Sequence, residues 1–214
     1  MSSFRILIAD DHEVVRKGLR SLLESHPGWE VCAEAVDGWE AVRKAEQLNP
    51  DLIALDIAMP NLNGLDAAQL VRRKQPQAKI LFLTMYDTGQ VLDSAMEIGA
   101  QGLVQKSDAG RDLVAAVEAL QQGSTFFACR VRQSPPTLKS GRTRRLFERD
   151  SLTLRERQVV QLLAEGKSTK QVASVLGVSV KTADTHRSNI MRKLGFHSEG
   201  EVVLYALRNN IVRA

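Results

Sequence analysis

Two adjacent carboxylates, Asp10 and Asp11, follow the apolar stretch FRILIA at residues 4–9. Such close like charges repel, so the pair either caps a following helix or belongs to a site that needs negative charge. Other polar residues stand at the ends of later apolar stretches, namely Asp56, Thr84 and Lys106. Carboxylates, a hydroxyl and an ammonium group can together transfer a phosphoryl group, provided that the fold brings them into contact.

The chemistry of this set depends on where its charges meet. Two carboxylates about 4 Å apart repel by roughly 4 kcal/mol at an effective dielectric constant near 20. Asp10, Asp11 and Asp56 together would have to take up protons or bind a cation, and hard oxygen ligands suit Mg²⁺. Asp56 could then act as the nucleophile and form an acyl phosphate. Mg²⁺ and Lys106 would neutralise the phosphoryl oxygens, and Thr84 would donate a hydrogen bond to one of them. Taken singly, Lys106 is explained equally well as a surface charge, and Thr84 as an ordinary strand-end hydroxyl.

Five short apolar segments in the front half of the chain are typical of β-strands: residues 4–9, 30–35, 52–56, 79–84 and 102–105. Helix-sized stretches separate them, and in the first of these we assign Val14, Leu19, Leu22 and Leu23 to the apolar face. The alternation predicts an α/β fold, a doubly wound, five-stranded parallel sheet covered on both faces. Ligands of such sheets bind outside the carboxyl ends of the strands, where all five polar residues fall.

Composition narrows the class of protein. The 214 residues contain no apolar run of about eighteen and no charged segment followed by an apolar one, so we expect neither a membrane span nor a secretory signal. The cysteines, Cys32 and Cys129, are too few for a disulfide framework and lack metal-ligand spacing. We therefore expect inert thiols in a reducing cytoplasm.

The net charge of +4 is divided unevenly along the chain. Residues 1–123 contain 12 Lys+Arg against 18 Asp+Glu, a net of −6, and residues 124–214 contain 17 against 7, a net of +10. We predict a first domain at 1–123, a Pro-, Ser- and Arg-rich linker at 124–150 and a second domain at 151–214. The basic second half is a candidate for nucleic-acid binding.

The second domain shows helix signals and no strand pattern, which predicts a small all-α fold. Capping boxes begin at Thr153, Ser168 and Ser198, and Ser179 can cap a helix that starts at Val180. Within TKQVASVLGVSVKTADTHRSNIMRKL (169–194), Ala173 precedes Gly177 by four residues, a spacing typical of the helix-turn-helix. The second helix, 180–194, would turn Ala183, Ile190, Met191 and Leu194 inward.

The outward residues of that helix are the candidate DNA contacts, unless they form only a solvated basic face. The candidates are Lys181, Thr182, Asp184, Thr185, Arg187, Ser188, Arg192 and Lys193. Among them Lys181, Arg187, Arg192 and Lys193 are the expected phosphate anchors. An acidic Asp184 in the groove either accepts a hydrogen bond from a cytosine amino group or turns away from the DNA.

The set Asp10-Asp11, DIAMPNLNG (56–64), LTMYD (83–87) and LVQKS (103–107) resembles the receiver domain of two-component response regulators. The resemblance covers residues 4 to about 123 and implies a flavodoxin-like fold. It implies that Asp56 is phosphorylated by a sensor histidine kinase. It also implies that Asp11, Asp56 and the backbone carbonyl of Ala58 bind Mg²⁺ directly, with Asp10 acting through water.

Two positions depart from the receiver pattern. Family members usually have Tyr or Phe, which changes rotamer on phosphorylation, at the position of Leu103, and often proline at the position of Ser107. Tyr86 could take over the role of the aromatic residue. The phosphoryl chemistry is therefore expected to be intact, while the coupling from Thr84 to an aromatic residue is not of the usual kind.

Residues 151 to about 212 resemble the four-helix DNA-binding domain of the NarL/LuxR class. The resemblance implies a recognition helix in the major groove and a last helix, 199–208, that contributes a dimer contact; Val202, Val203 and Ala206 there could equally be core residues. Asp184 and Ser188 stand where this class often has basic residues.

We therefore expect a cytoplasmic, phosphorylation-controlled transcriptional regulator rather than an enzyme, apart from Mg²⁺-dependent self-phosphorylation and self-dephosphorylation at Asp56. Its expected partners are a sensor histidine kinase, double-stranded promoter DNA and a second copy of the chain, with RNA polymerase as a further candidate and no membrane. One alternative is a phosphorylation-independent regulator with a structural receiver. The other, an Asp-nucleophile phosphatase, is disfavoured because its nucleophile would follow the first strand and because no cap domain is evident.

Overall fold

The computed structural model describes residues 3–85, 89–128, 152–209 and 211–212. Tyr86, Cys129 and residues 129–150 of the predicted linker lie outside the described residues. The chain divides into two compact units, residues 1–131 and residues 132–214, and each is described by itself.

A parallel sheet forms the centre of the first unit. Its strands are β1 (Phe4–Ala9), β2 (Trp29–Ala35), β3 (Leu52–Asp56), β4 (Lys79–Thr84), β5 (Gly102–Gln105) and β6 (Phe126–Phe127). The helices are α1 (Glu13–Glu24), α2 (Gly38–Leu48), α3 (Gly64–Lys74), α4 (Gly89–Ile98) and α5 (Ala109–Gln121), with a 3₁₀ turn at Lys106–Asp108. The strand order is β2-β1-β3-β4-β5-β6, which confirms the α/β prediction and places the topological switch between β1 and β3.

The sheet has six strands, and the prediction of five was wrong. Phe126 and Phe127, which were assigned to the linker, pair in parallel with Gly102 and Leu103. Two residues are too short to show a strand pattern in the sequence. Gly102 permits the pairing, since a Cβ there would lie 3.1 Å from the Phe126 carbonyl oxygen and 2.6 Å from Leu81 Cδ1.

Both faces of the sheet are covered, as the apolar strands predict. In β1, Leu7 belongs to a core shared with α2, α3 and α4, whereas its neighbour Ile8 belongs to a core shared with α1 and α5. This alternation follows from the two-residue period of a strand. The face predicted for α1 was wrong at one position, because Val14 is 83% exposed while Leu19 and Leu23 are buried.

Cys32 lies at the irregularity in the register between β1 and β2. Its thiol donates a hydrogen bond to the Ile6 carbonyl at 3.4 Å, and burial raises the pKa of the thiol. A raised pKa lowers the thiolate fraction at neutral pH, which agrees with the expected inert thiol.

The described part of the second unit, residues 152–209 and 211–212, contains the helices α6 (Leu154–Ala164), α7 (Thr169–Leu176), α8 (Val180–Leu194) and α9 (Glu199–Arg208). The predicted capping boxes are present at Thr153, Ser168 and Ser198, and Ser179 accepts a hydrogen bond from the Thr182 amide. Buried residues from all four helices form the core, namely Val159, Val160, Leu162, Val172, Ala173, Leu176, Ala183, Ile190, Val202 and Ala206. The small all-α domain is confirmed.

The turn between α7 and α8 has the predicted helix-turn-helix chemistry. Gly177 ends α7 in the left-handed region at φ 64°, a conformation that glycine adopts without steric cost. The Val178 amide then donates to the Ala173 carbonyl at 3.0 Å, and the Ala173 side chain is buried. This closure turns the chain sharply before Ser179 starts the second helix.

Candidate functional site

Four of the predicted site residues lie at the carboxyl ends of adjacent strands. Asp10 follows β1 directly, Asp56 is the last residue of β3, Thr84 is the last residue of β4, and Lys106 starts the turn after β5. Because β3 lies between β1 and β4, Asp56 stands at the centre of the row. Asp10, Asp56 and Thr84 are buried.

The ammonium group of Lys106 forms ion pairs with two of these carboxylates. Its Nζ lies 2.6 Å from Asp10 Oδ2 and 2.9 Å from Asp56 Oδ2, and its side chain is only 6% exposed. A cation between two buried acids offsets part of their desolvation and of their mutual repulsion. Two carboxylates contact one ammonium group and the Asp11 carboxylate lies close to both of them, so the cluster keeps an excess of negative charge.

Asp11 and His12 form the outer side of the cluster. The Asp11 side chain is 30% exposed, and its Oδ1 lies 2.8 Å from His12 Nδ1. The His12 amide donates a hydrogen bond to Asp10 Oδ1 at 2.9 Å, which fixes the buried carboxylate against the start of α1. His12 was not among the predicted site residues, although its position directly after the acidic pair was a usable signal.

The donor set fits a hard divalent cation. One ligand atom from each of Asp10, Asp11, His12 and Asp56 lies within 4.8 Å of all the others. Three of the four are carboxylate oxygens, the ligands that Mg²⁺ prefers, and the exposed side of Asp11 leaves access for water. Ala58, whose carbonyl is a predicted ligand, lies two residues after Asp56 and is half-buried.

The loop after Asp56 is held by close backbone contacts. The Gly64 amide donates to the Ile57 carbonyl at 2.7 Å, and a Cβ on Gly64 would lie only 2.1 Å from the Asp56 carbonyl oxygen. Asn63 caps α3 through a hydrogen bond that its side chain accepts from the Asp66 amide at 2.8 Å. The glycine is therefore required by the position of the main chain that carries the central carboxylate.

Arg16 stabilises the connection between β1 and α1. Its Nη1 donates to the Asp10 carbonyl at 2.7 Å, and its Nε donates to Glu34 at 3.3 Å. Arg20 also donates to Glu34, at 2.6 Å, and this hydrogen bond holds the pKa of the Glu34 carboxyl below its usual value. These residues connect α1 to the end of β2 and were not found from the sequence, because only the fold brings them together.

Leu103, which stands where receivers usually have an aromatic residue, is part of the core. Leu103 is 2% exposed and belongs to the core between the sheet and α2, α3 and α4. The Leu103 side chain is therefore a core residue in this structure. Tyr86, the suggested substitute, lies outside the described residues.

The predicted DNA contacts lie on the surface of α8. Seven of the eight side chains are exposed, namely Lys181, Thr182, Asp184, Thr185, Ser188, Arg192 and Lys193, while Arg187 is half-buried. Ala183 and Ile190 are buried as predicted, and Met191 and Leu194 are partly buried. The helix therefore presents one polar face along its whole length.

Two of the expected phosphate anchors already pair with carboxylates of the same unit. Arg187 Nη2 lies 2.9 Å from Glu199 Oε1, and Lys193 Nζ lies 2.8 Å from Glu156 Oε2. Arg192 donates to the Asn189 side chain at 2.8 Å. Both acidic partners lie on other helices, and neither pair was predicted from the sequence.

None of the helices in the described ranges is long and apolar enough to cross a membrane.

Two family models match the chain: residues 6–118 match the response regulator receiver domain, and residues 150–206 match the luxR family of bacterial regulatory proteins. Receiver domains typically bind Mg²⁺ at an acidic pocket of this kind. The matched ranges correspond to the two units that carry the acidic cluster and α8.

Similar proteins extend over the whole chain. The chain is 34% identical to the transcriptional regulatory protein MctR of Rhizobium johnstonii over 97% of this chain and 95% of that protein. It is 32% identical to the response regulator VraR of Staphylococcus aureus over 99% and 100%. A structure of RcsB from Salmonella typhimurium aligns with a TM-score of 0.64 at 27% identity, covering 98% and 99%. An RcsB–DNA complex aligns at 0.57 with 28% identity, covering 97% and 99%. The chain thus belongs to the two-component response regulators that join a receiver domain to a LuxR-type DNA-binding domain.

Proposed function

We propose that Asp56 accepts a phosphoryl group from a sensor histidine kinase and that this modification controls binding to promoter DNA. The observation that carries the proposal is the contact of Lys106 Nζ with both Asp56 and Asp10, at 2.9 and 2.6 Å. A buried nucleophile beside a fixed cation and further acidic ligands suits phosphoryl transfer, because catalysis of that reaction depends on positioning and on charge neutralisation.

In the transfer step, a carboxylate oxygen of Asp56 attacks the phosphorus atom of the phosphohistidine. An O–P bond forms while the P–N bond breaks, and the imidazole leaves with the electron pair and takes up a proton. Lys106 then neutralises a phosphoryl oxygen, and the Thr84 hydroxyl donates a hydrogen bond to another. A Mg²⁺ ion held by Asp10, Asp11, Asp56 and the Ala58 carbonyl would supply further charge neutralisation.

The output is a change in an equilibrium that already exists in the receiver. Phosphorylation alters the local charge at Asp56, which favours one of two receiver conformations and with it a dimer. A two-fold dimer would place two copies of α8 in half-sites about one helical turn apart. The RcsB–DNA complex supports this role for the helical unit.

The same proposal covers partners, location and activity. The protein would work in the cytoplasm, where the kinase domain and promoter DNA are found, and would contact RNA polymerase when it activates a promoter. It would act once per phosphoryl group, forming and hydrolysing its own acyl phosphate, and would not turn over an external substrate.

A second candidate is a regulator that binds DNA without phosphorylation. The observation that favours it is the buried Leu103, which replaces the aromatic residue expected to move with Thr84. The intact acidic cluster favours the first candidate, because a purely structural receiver does not need three carboxylates at one site.

Intact-protein mass spectrometry tests the proposal most directly. The full chain and an Asp56→Asn variant would be incubated with acetyl phosphate, each with and without Mg²⁺. We expect one phosphoryl adduct on the wild type, dependent on Mg²⁺, and none on the variant.

An adduct on Asp56→Asn would place the phosphoacceptor elsewhere. If neither protein gains mass while both bind DNA, the second candidate is correct. The Asp11→Asn variant is the matched control for the cation, since it loses one proposed ligand and keeps the nucleophile and Lys106.

A further inference from the structure

The contact between α8 and the start of α9 involves a carboxylate next to the predicted DNA-binding face. Glu199, the first residue of α9, pairs with Arg187 on α8 at 2.9 Å. Arg187 is 35% exposed and Glu199 is 74% exposed. The carboxylate therefore pairs with the guanidinium group of a predicted phosphate anchor.

The second carboxylate contact of α8 has a different character. Glu156 is only 16% exposed in its pair with Lys193, and the same Oε2 also accepts the Thr153 amide at 2.8 Å as part of the capping box. Burial acts to raise the pKa of Glu156, but the hydrogen bonds from Lys193 and Thr153 hold it below its usual value. Lys193 is thus tied to the start of α6, and its pair is part of the structure of the domain.

The Glu199 carboxylate takes no part in a cap. Ser198 and Glu201 form the capping box of α9, so the Arg187–Glu199 pair can open without loss of a helix end. Because it is exposed to water, the pair is weak, and a phosphate oxygen can replace the carboxylate. The replacement still costs the ion pair and leaves a negative charge close to the DNA backbone.

We propose that Glu199 lowers the DNA affinity of this protein by competing with phosphate for Arg187. In the free protein, Arg187 is held by Glu199; on DNA, Arg187 exchanges the carboxylate for a phosphate oxygen. The inference rests on the proposed DNA-binding role of α8 and adds an affinity-determining residue outside that helix.

A double-mutant cycle on the full chain tests the exchange. The proteins are the wild type, Glu199→Gln, Arg187→Gln and the double variant, and the probe is a fluorescently labelled duplex of mixed sequence titrated over a range of KCl concentrations. The control is Glu165→Gln, which removes the same charge from a less exposed ion pair with Lys167 outside α8; Glu165 is 17% exposed. Thermal unfolding of each variant accompanies the titrations.

We expect Glu199→Gln to bind the duplex about two- to fivefold more tightly at low salt, because an exposed ion pair no longer has to open. The gain should shrink as KCl rises and should be much smaller in the Arg187→Gln background, where only the repulsion between Glu199 and the DNA backbone is relieved. Glu165→Gln should bind like the wild type, and the unfolding temperature of Glu199→Gln should stay close to that of the wild type.

Three other results would overturn the inference. An equal gain in both backgrounds would mean general charge repulsion rather than competition for Arg187. An unchanged affinity would mean that the pair has no influence, and a weaker affinity would mean that Glu199 holds Arg187 in place for the DNA. If no protein of the set binds the duplex, the proposed DNA-binding function fails together with the inference.

Discussion

Lys106 is the residue on which the charge balance of the acidic cluster depends. It contacts both buried carboxylates, Asp10 and Asp56, from a position that is itself 6% exposed. Removal of one partner from a buried ion pair leaves an uncompensated charge, which costs more than the pair contributes when intact. The stability of the receiver should therefore depend strongly on this side chain.

We expect Lys106→Met to lower the free energy of unfolding by about 3–5 kcal/mol, measured by urea denaturation. Added Mg²⁺ should restore part of the loss, since a cation bound only to the folded state stabilises it by mass action. Lys17→Met is the control: Lys17 pairs with Glu13 but is 73% exposed, so its loss should leave the free energy of unfolding nearly unchanged. Equal effects of the two substitutions would contradict the role given to Lys106.

Gly64 gives a second prediction at the scale of one residue. A Cβ at this position would lie 2.1 Å from the Asp56 carbonyl oxygen, so Gly64→Ala must displace the main chain at the end of β3. We expect a loss of about 1–3 kcal/mol in unfolding free energy and a slower formation of the phosphoryl adduct.

Gly18→Ala is the matched control for that substitution. Gly18 lies inside α1 with nothing within 4 Å of an added Cβ, so alanine there should stabilise the protein by about 1 kcal/mol. Thermal unfolding of both variants measures these opposite changes in stability. A Gly64→Ala protein as stable as the wild type would show that the loop after Asp56 can adjust to the added methyl group.

The residues of the site differ in how far the sequence could reveal them. Asp10, Asp56, Thr84 and Lys106 were found because each ends an apolar stretch, and parallel strands bring such ends to one side of the sheet. Arg16 and Glu34 were missed because Arg16 lies on a helix and Glu34 on the strand that follows it. No local sequence pattern predicts a contact between the two. Glu199 was missed for the same reason, since helical periodicity describes one helix and not its neighbours.

At the scale of elements, spacing decided which predictions held. In α1, Leu19 and Leu23 are four residues apart and lie on one face, but Val14 precedes Leu19 by five and points away. Val15 has the correct spacing and packs on the core instead. The capping boxes were confirmed because they are local, whereas β6 depends on a tertiary contact with Gly102.

The tie between α1 and β2 carries a prediction about pH. The hydrogen bond from Arg20 holds the pKa of Glu34 below its ordinary value of 4.5, so the folded state binds fewer protons than the unfolded state. This contribution is complete above pH 4.5 and is lost as the pH falls through the folded pKa. Because both side chains are partly exposed, it should not exceed about 1 kcal/mol.

Urea denaturation from neutral pH to below pH 4.5 measures this effect. Glu34→Gln should be less stable than the wild type at neutral pH, and the difference should narrow in acid. Arg20→Gln should produce a similar narrowing, and the two substitutions together should cost less than the sum of their single effects, because they share one interaction. A constant difference between wild type and Glu34→Gln at every pH would show that packing, rather than charge, causes it.

At the scale of the whole molecule, the charge is divided between an acidic first half and a basic second half. Residues 1–123 have a net charge of −6 and contain the acidic cluster, while residues 124–214 have a net charge of +10 and contain α8. The charge on the second half favours DNA of any sequence, and this term weakens as salt rises. The proposed control by Asp56 would therefore act through a change in assembly or conformation, since the predicted DNA contacts all lie on α8 and none lies beside Asp56.

Dimerisation is the change in assembly through which phosphorylation of Asp56 could alter DNA binding, and it can be measured directly. Two linked DNA-binding units bind more tightly than one, because the second binding event is intramolecular. We expect acetyl phosphate with Mg²⁺ to shift the full chain toward a dimer in sedimentation experiments. On a mixed-sequence duplex the apparent affinity should rise and the dependence on salt should become steeper, since more phosphates are contacted per complex. Asp56→Asn should show none of these changes. If the wild type forms the adduct without any change in sedimentation or DNA affinity, then phosphorylation at Asp56 is not coupled to α8, which favours the regulator that binds DNA without phosphorylation.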